Sequence, residues 1–163
     1  MKNKIAVIGG GLAGVEAAYQ IAKQGLAVDL YEMRPQVMTE AHGSGFLAEM
    51  VCSNSLGSGE ITSASGLLKR ELETLDSFFL RHAKAFSVPA GNSLSVDRLR
   101  LAASITAELT AVPGITVRRQ EVKKISAVES PLVIASGPLT SPDLAHSLSD
   151  LTMRKNLFFF DAT

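Results

Sequence analysis

The stretch Ile5-Ala6-Val7-Ile8-Gly9-Gly10-Gly11-Leu12-Ala13-Gly14, read with Val28-Asp29-Leu30-Tyr31-Glu32 further on, decides the fold. Four apolar residues stopped by glycines fit a buried parallel strand. From Leu12 to Gly25 the period changes. Ala13, Ala17, Ala18, Ile21 and Ala22 recur at three- and four-residue steps, and Gly25 suits a helix C-terminal cap. Residues 28–32 then predict a second strand. Strand, glycine turn, helix and strand make a right-handed βαβ unit.

Gly9, Gly11 and Gly14 stand in G-x-G-x-x-G spacing. The first permits the tight turn, the second lets the backbone approach a pyrophosphate, and the third lets helix and strand pack closely. The helix start offers N–H groups and partial positive charge to phosphates, so Gly10, Leu12 and Ala13 join the cofactor-binding candidates. Glu32 stands 23 positions after Gly9, where a carboxylate accepts hydrogen bonds from an adenosine ribose. A glycine turn that binds nothing is the plain alternative. The strand before it, the helix after it and the acidic residue beyond argue against that reading.

Working outward, residues 33–59 form a long loop-like stretch rich in Gly, Ser, Pro and Asn, of a length expected of a functional or a disordered loop. Leu67 to Phe86 predicts one amphipathic helix, with Leu68, Leu72, Leu75, Phe79 and Ala83 as its stripe. Pro89-Ala90-Gly91-Asn92 marks a turn. Ser95 or Asp97 can cap a helix running through Leu109. Residues 115–119 and 122–125 predict edge strands, 132–135 a buried strand, 143–151 a short helix and 157–160 a final apolar strand. The expected fold class is α/β, a Rossmann-like domain over 1–163 that is incomplete at its C-terminal end, with an inserted loop-plus-helix segment at about 36–112.

The 163 residues suit one domain, and 46% hydrophobic with 20% charged residues is a globular composition. Lys+Arg and Asp+Glu are both 16, so no basic excess announces a nucleic-acid surface, and no DNA partner is expected. No apolar run approaches a membrane span or a secretory signal, and the expected location is the cytoplasm. A single cysteine, Cys52, allows no internal disulfide. One cysteine and three scattered histidines show no metal-ligand spacing.

Cys52 ends an apolar run and precedes Ser53-Asn54-Ser55. Such a loop can present a thiol among hydroxyl and amide donors, although a lone cysteine more often serves as a small buried hydrophobe. His42 or His82 could activate a thiol, and sequence places neither beside it.

Two resemblances sharpen these readings. Glu32-Met33-Arg34 resembles the E-x-R continuation of the glutathione-reductase-like flavoprotein superfamily, and Leu132-Val133-Ile134-Ala135-Ser136-Gly137 resembles its later strand ending in A-[ST]-G. That likeness implies FAD rather than NAD. It adds Met33, Arg34 and Gly137 to the cofactor-binding candidates, with Val122 clamping the adenine through its backbone; plain core is the alternative for the 132–137 strand.

The second resemblance spans nearly the whole chain. Tyr31-Glu32-Met33-Arg34-Pro35, Glu49-Met50-Val51-Cys52-Ser53-Asn54-Ser55-Leu56, Gly66-Leu67-Leu68-Lys69, Val88-Pro89-Ala90-Gly91, Val96-Asp97-Arg98 and Ala135-Ser136-Gly137-Pro138-Leu139-Thr140-Ser141 occur in this order. With Phe159-Phe160-Asp161-Ala162 they resemble the folate- and FAD-dependent tRNA (uracil-5-)-methyltransferases, formerly grouped with the glucose-inhibited division proteins. The resemblance implies FAD as cofactor, methylenetetrahydrofolate as carbon donor, NAD(P)H as reductant and the T-loop uridine of tRNA as target. It also implies a catalytic role for Cys52 and a second thiol in a part of the longer family members beyond residue 163. Gly57 stands where the family commonly has Arg, and Asn92-Ser93 where Gly-Ala is usual. A nucleotide-binding module without catalysis, or another tRNA-modifying flavoprotein, are the competing readings.

Overall fold

The computed structural model describes residues 4–128 and 131–153. In it β1 (Lys4–Ile8) and β2 (Ala27–Glu32) pair in parallel, Ile5 opposite Val28 and Val7 opposite Leu30. Between them α1 runs from Leu12 to Lys23. It stops where Gly25, at φ +79°, turns its N–H onto the Ala22 carbonyl. That left-handed conformation is why glycine ends the helix.

Two further parallel strands complete the main sheet. β6 (Ile115–Arg119) lies beside β2, and β7 (Leu132–Ile134) beside β1, giving the order β6-β2-β1-β7. Alternation along β1 sends Val7 and Ile8 to opposite faces. Val7 joins Val15, Val28, Leu30, Leu101, Ile105 and Leu109 in the larger core. Ile8 meets Val122 and Leu144 in a smaller one on the other side. Leu144 comes from α5 (Pro142–Thr152), which covers that second face.

The segment between β2 and β6 builds its own three-stranded antiparallel sheet. β3 (Ser55–Ser58), β5 (Ser93–Val96) and β4 (Ser87–Val88) lie in that order, with α2 (Ala64–Thr74) and α3 (Phe78–Ala85) alongside. α4 (Arg98–Ala111) then leads back to β6. Asp97 caps it, accepting from the Arg100 amide at 3.1 Å. Phe78, Leu80, Ala83 and Val96 enter the same core as β1 and β2, so this segment and the βαβ unit share one interior.

Several sequence expectations need correction. The helix expected over 67–86 is two helices, because Asp76 takes a positive φ of +55° and Ser77 starts α3. Ser77 Oγ accepts from the Leu80 amide, and the Ser77 hydroxyl and the Phe78 and Phe79 amides donate to the Glu16 carboxylate of α1. That places an acidic group at the positive end of α3. Residues 122–125 form no strand. The chain leaves the sheet at Gln120 and makes a single 3₁₀ turn at Ile125–Ala127. Among the described residues β7 is an edge strand, with Val133 and Ile134 37% and 39% exposed, where sequence predicts a buried one. The long loop after β2 contains β3, unforeseen because Ser-Leu-Gly-Ser carries little strand propensity. The strand expected at 157–160 falls outside the described residues. Among the described residues no helix is long and apolar enough to cross a membrane.

Candidate functional site

A cleft opens at the carboxyl ends of β1, β2 and β7, where open α/β sheets bind ligands. Gly9, Gly10 and Gly11 form one wall; Glu32, Met33, Arg34 and His42 form another; Gln120, Glu121 and Val122 face them. Ser136, Thr140 and Ser141 close the side next to β7.

Space explains the glycines. A Cβ on Gly9 would stand 2.5 Å from the Ala135 carbonyl oxygen, and one on Gly14 would stand 1.8 Å from that of Gly9. A Cβ on Gly10 would meet Leu47 at 2.6 Å and Glu32 Oε2 at 2.7 Å. Gly11 is different: no atom lies within 4 Å of its Cβ position, so it borders open space. Gly11 is also the residue before α1 and brings no side-chain cap. The first-turn amides of Leu12, Ala13 and Gly14 have no intrahelical acceptor and can serve an anion.

Glu32 is fixed at the tip of β2. Its Oε2 accepts from the Gly10 amide at 2.9 Å, and its Oε1 accepts from the Arg34 amide at 2.9 Å and Nε at 3.0 Å. Arg34 Nη2 adds a bond to Oε2 at 3.2 Å. Burial pushes the Glu32 carboxyl up, but the Arg34 hydrogen bonds and charge, with the Gly10 amide, outweigh it and hold the group below its ordinary value. Glu32 therefore stays ionised, an acceptor for hydroxyl groups.

Arg34 is 2% exposed and reaches a second carboxylate, with Nη1 2.9 Å from Glu49 Oε2. Glu49 also accepts from the Gly43 and Ser44 amides and the Ser44 hydroxyl. All three guanidinium nitrogens are thus engaged by protein. The side chain orients Glu32 and ties the 43–49 segment down, while the residue as a whole lines the cleft.

The structure brings Gly9, Gly10, Gly11, Glu32, Met33, Arg34 and Val122 into one cleft, with Leu12, Ala13 and Gly14 in the turn of helix behind it. Val122 is 7% exposed. Gly137, at φ +65°, lies on the loop after β7, beside the cleft-lining Ser136. Cys52 lies elsewhere. It is exposed, in a depression with Ser53, Asn54, Val96 and Arg98, which overturns the reading of a buried small hydrophobe. Neither histidine lines that depression. His82 is buried between α3 and α4, Nδ1 3.2 Å from Ser104 Oγ and Nε2 3.1 Å from Glu108; His42 lines the nucleotide-type cleft. Sequence reasoning missed Glu49 as a partner of Arg34 and Arg98 as the basic residue beside Cys52. Arg98 Nη1 donates to the Met50 carbonyl at 3.2 Å. No local pattern marks either contact.

What folds here is a Rossmann-like dinucleotide-binding domain of the flavoprotein type. Over residues 4–163 the sequence matches the family model described as Glucose inhibited division protein A, and the chain belongs to that family. It is 49% identical over 162 residues to a protein of Moorella thermoacetica, covering 99% of this chain and 37% of that protein. Proteins of a Sulfurihydrogenibium species and of Bacillus cereus (strain Q1) are 50% and 51% identical over 98% and 96% of this chain, each covered to 36%. All three carry the name methylenetetrahydrofolate–tRNA-(uracil-5-)-methyltransferase TrmFO. The chain spans little more than a third of the length of these relatives.

Proposed function

We propose that this chain is the FAD-binding portion of a tRNA uracil-C5 methyltransferase, which takes its carbon from methylenetetrahydrofolate and its electrons, by way of FAD, from NAD(P)H to form 5-methyluridine in the T-loop. One observation carries the reading. A carboxylate locked at the end of β2, bonded to the Gly10 amide, lines one cleft with a glycine turn whose Gly11 borders open space at the uncapped start of α1. The shared name of relatives about half identical to the chain supports the rest. The cytoplasm is the expected place of action, with tRNA and folate as partners and neither DNA nor membrane.

The residues fit the adenosine-diphosphate half of FAD. The amides of Leu12, Ala13 and Gly14 bind the diphosphate, Glu32 accepts the ribose hydroxyls, and the backbone around Val122 orients the adenine. Met33 lines the ribose side, and Gly10 leaves room for Glu32 and Leu47. Gly137 keeps the loop after β7 free of a side chain where the rest of the cofactor passes. The flavin supplies the reducing electrons when bound. Cys52 is assigned the covalent role: its thiolate would add to uracil C6, making C5 the nucleophile toward the folate methylene carbon; the folate C–N bond then breaks, the C5 proton leaves, and two electrons supplied through the reduced flavin complete the methyl group as the S–C6 bond breaks.

Calorimetric titration of the 163-residue chain with FAD tests the binding. Gly11→Val should weaken it at least a hundredfold, because the new side chain enters the diphosphate path. The far-UV circular dichroism should not change, since nothing surrounds that position. Equal affinity before and after the substitution sinks the reading.

A further inference from the structure

We infer that His42 is a ligand of the bound nucleotide, donating through Nε2 to its diphosphate. The inference rests on the reading of the cleft as an adenosine-diphosphate site.

The segment after β2 folds back so that His42 stands in the cleft wall with Glu32 and Arg34. The ring is partly buried and one of its nitrogens is taken, Nδ1 lying 2.6 Å from Thr39 Oγ1. That contact fixes the ring's orientation. Nε2 has no protein partner among the described residues. With the Thr39 hydroxyl donating to Nδ1, the proton of a neutral ring sits on Nε2 and makes it a donor.

Charge bookkeeping says what this donor is for. A diphosphate entering the cleft brings negative charge beside Glu32 and Glu121, both in the lining. Arg34 is the one Arg or Lys among the described lining residues, and Glu32, Glu49 and the Ser44 carbonyl occupy its guanidinium. The α1 amides serve one side of the phosphates. In the lining of the same cleft His42 is the ring that can meet them with an N–H, and with a full charge once protonated. Burial and the Arg34 charge hold the imidazole below its ordinary value, against the pull of Glu49 and Glu32. A bound anion shifts that balance toward the charged donor.

The test titrates FAD, ADP and adenosine into the full 163-residue chain, comparing the unmodified protein with His42→Ala, His42→Gln, Thr39→Val and Gly11→Val, each checked for native circular dichroism. His42→Ala should weaken FAD and ADP about tenfold and adenosine less than twofold. His42→Gln keeps an N–H donor and should recover most of the loss. Thr39→Val, which frees the ring, should fall between. Unchanged ADP affinity in His42→Ala, or equal losses for ADP and adenosine, overturns the assignment, because a ring that only packs or touches the ribose cannot single out the diphosphate. If His42→Ala lacks native circular dichroism, His42→Gln decides, with near-normal ADP binding expected and a tenfold loss counting against the inference. The two readings fail separately. If Gly11→Val abolishes binding and His42→Ala does nothing, only the His42 assignment falls. If the unmodified chain binds no nucleotide, or Gly11→Val binds as well as it does, the cleft reading falls first.

Discussion

The cleft around Glu32 and the loop around Cys52 lie on the same polypeptide 20 residues apart, and they are built in opposite ways. Glu32 and Arg34 are 6% and 2% exposed, and the charged network they anchor extends to Glu49 and the 43–44 turn. Cys52 is exposed, and its neighbours are held by few bonds, the Ser55 amide to Ser53 Oγ within the loop and, from far along the chain, Arg98 to the Met50 and Val51 carbonyls and the Val96 amide to the Asn54 carbonyl. A site whose polar groups are satisfied by its own chain is organised before the ligand arrives. A thiol presented at the surface gains its geometry from whatever closes over it.

The largest effect that would break this contrast is at Cys52. In a full-length homologous enzyme, Cys52→Ala should lower methyl transfer by orders of magnitude if the thiol is the nucleophile. FAD content should stay almost intact, since the thiol lies outside the glycine turn and lines a separate depression. Turnover must be normalised to bound flavin; survival of normalised turnover would remove Cys52 from the chemistry.

A second substitution attacks the other region. Arg34→Leu leaves Glu32 and Glu49 facing each other without their cation, and should destabilise the chain by about 3 kcal/mol in urea unfolding. A loss below about 1 kcal/mol would mean that the clamp is solvated and not a fixed frame. The same clamp sets an acid limit. The folded-state values of Glu32 and Glu49 are both depressed: burial raises each, but Arg34 and the hydrogen bonds outweigh it. Their stabilisation is therefore complete above the unfolded carboxylate value, about 4.3, and is lost as pH falls through the lower folded values. In Arg34→Leu the acid midpoint should move to higher pH; coincident acid titrations would contradict the assignment.

The smallest effect sharpens the frame beside the cysteine loop. Asp97→Ala removes the cap of α4 and should cost about 1 kcal/mol, with FAD affinity unchanged. A loss of FAD binding in this variant would show that the two regions are coupled through α4.

How much of this was legible in the sequence follows from periodicity. The βαβ unit could be read because the apolar pattern switches from a continuous run to three- and four-residue steps and back, with glycines at both changes. The 67–86 stretch misled because the leucine stripe runs on in register across the break. The break comes from Asp76 and from Ser77, whose hydroxyl meets Glu16 some sixty residues away, and tertiary contacts of that kind leave no local mark. Val122 and Ile125 are three apart, a spacing that suits a turn as well as a strand, and both pack against the smaller core from irregular backbone. The glycines and Glu32 were read as a site by spacing, and Met33 by resemblance. Glu49 and His42 were not, because a loop of irregular backbone carries no period from which to read a facing direction. The chemistry assigned to Cys52 came from resemblance and not from any physical reading of its neighbours.

The pairing of β2 with β6 sets Val28 against Ile115 and Glu32 against Arg119, with the whole antiparallel sheet and three helices threaded between them. Bringing those ends together closes a loop of more than eighty residues before any ladder bond rewards it. Assembly of the sheet is therefore expected to lag behind the hairpin-like and helical pieces, which close over short distances. Pulse-labelled hydrogen exchange during refolding would show it, with the β6 amides gaining protection after those of α3 and α4. Simultaneous protection would mean that the intervening segment collapses first and delivers the two strands already side by side.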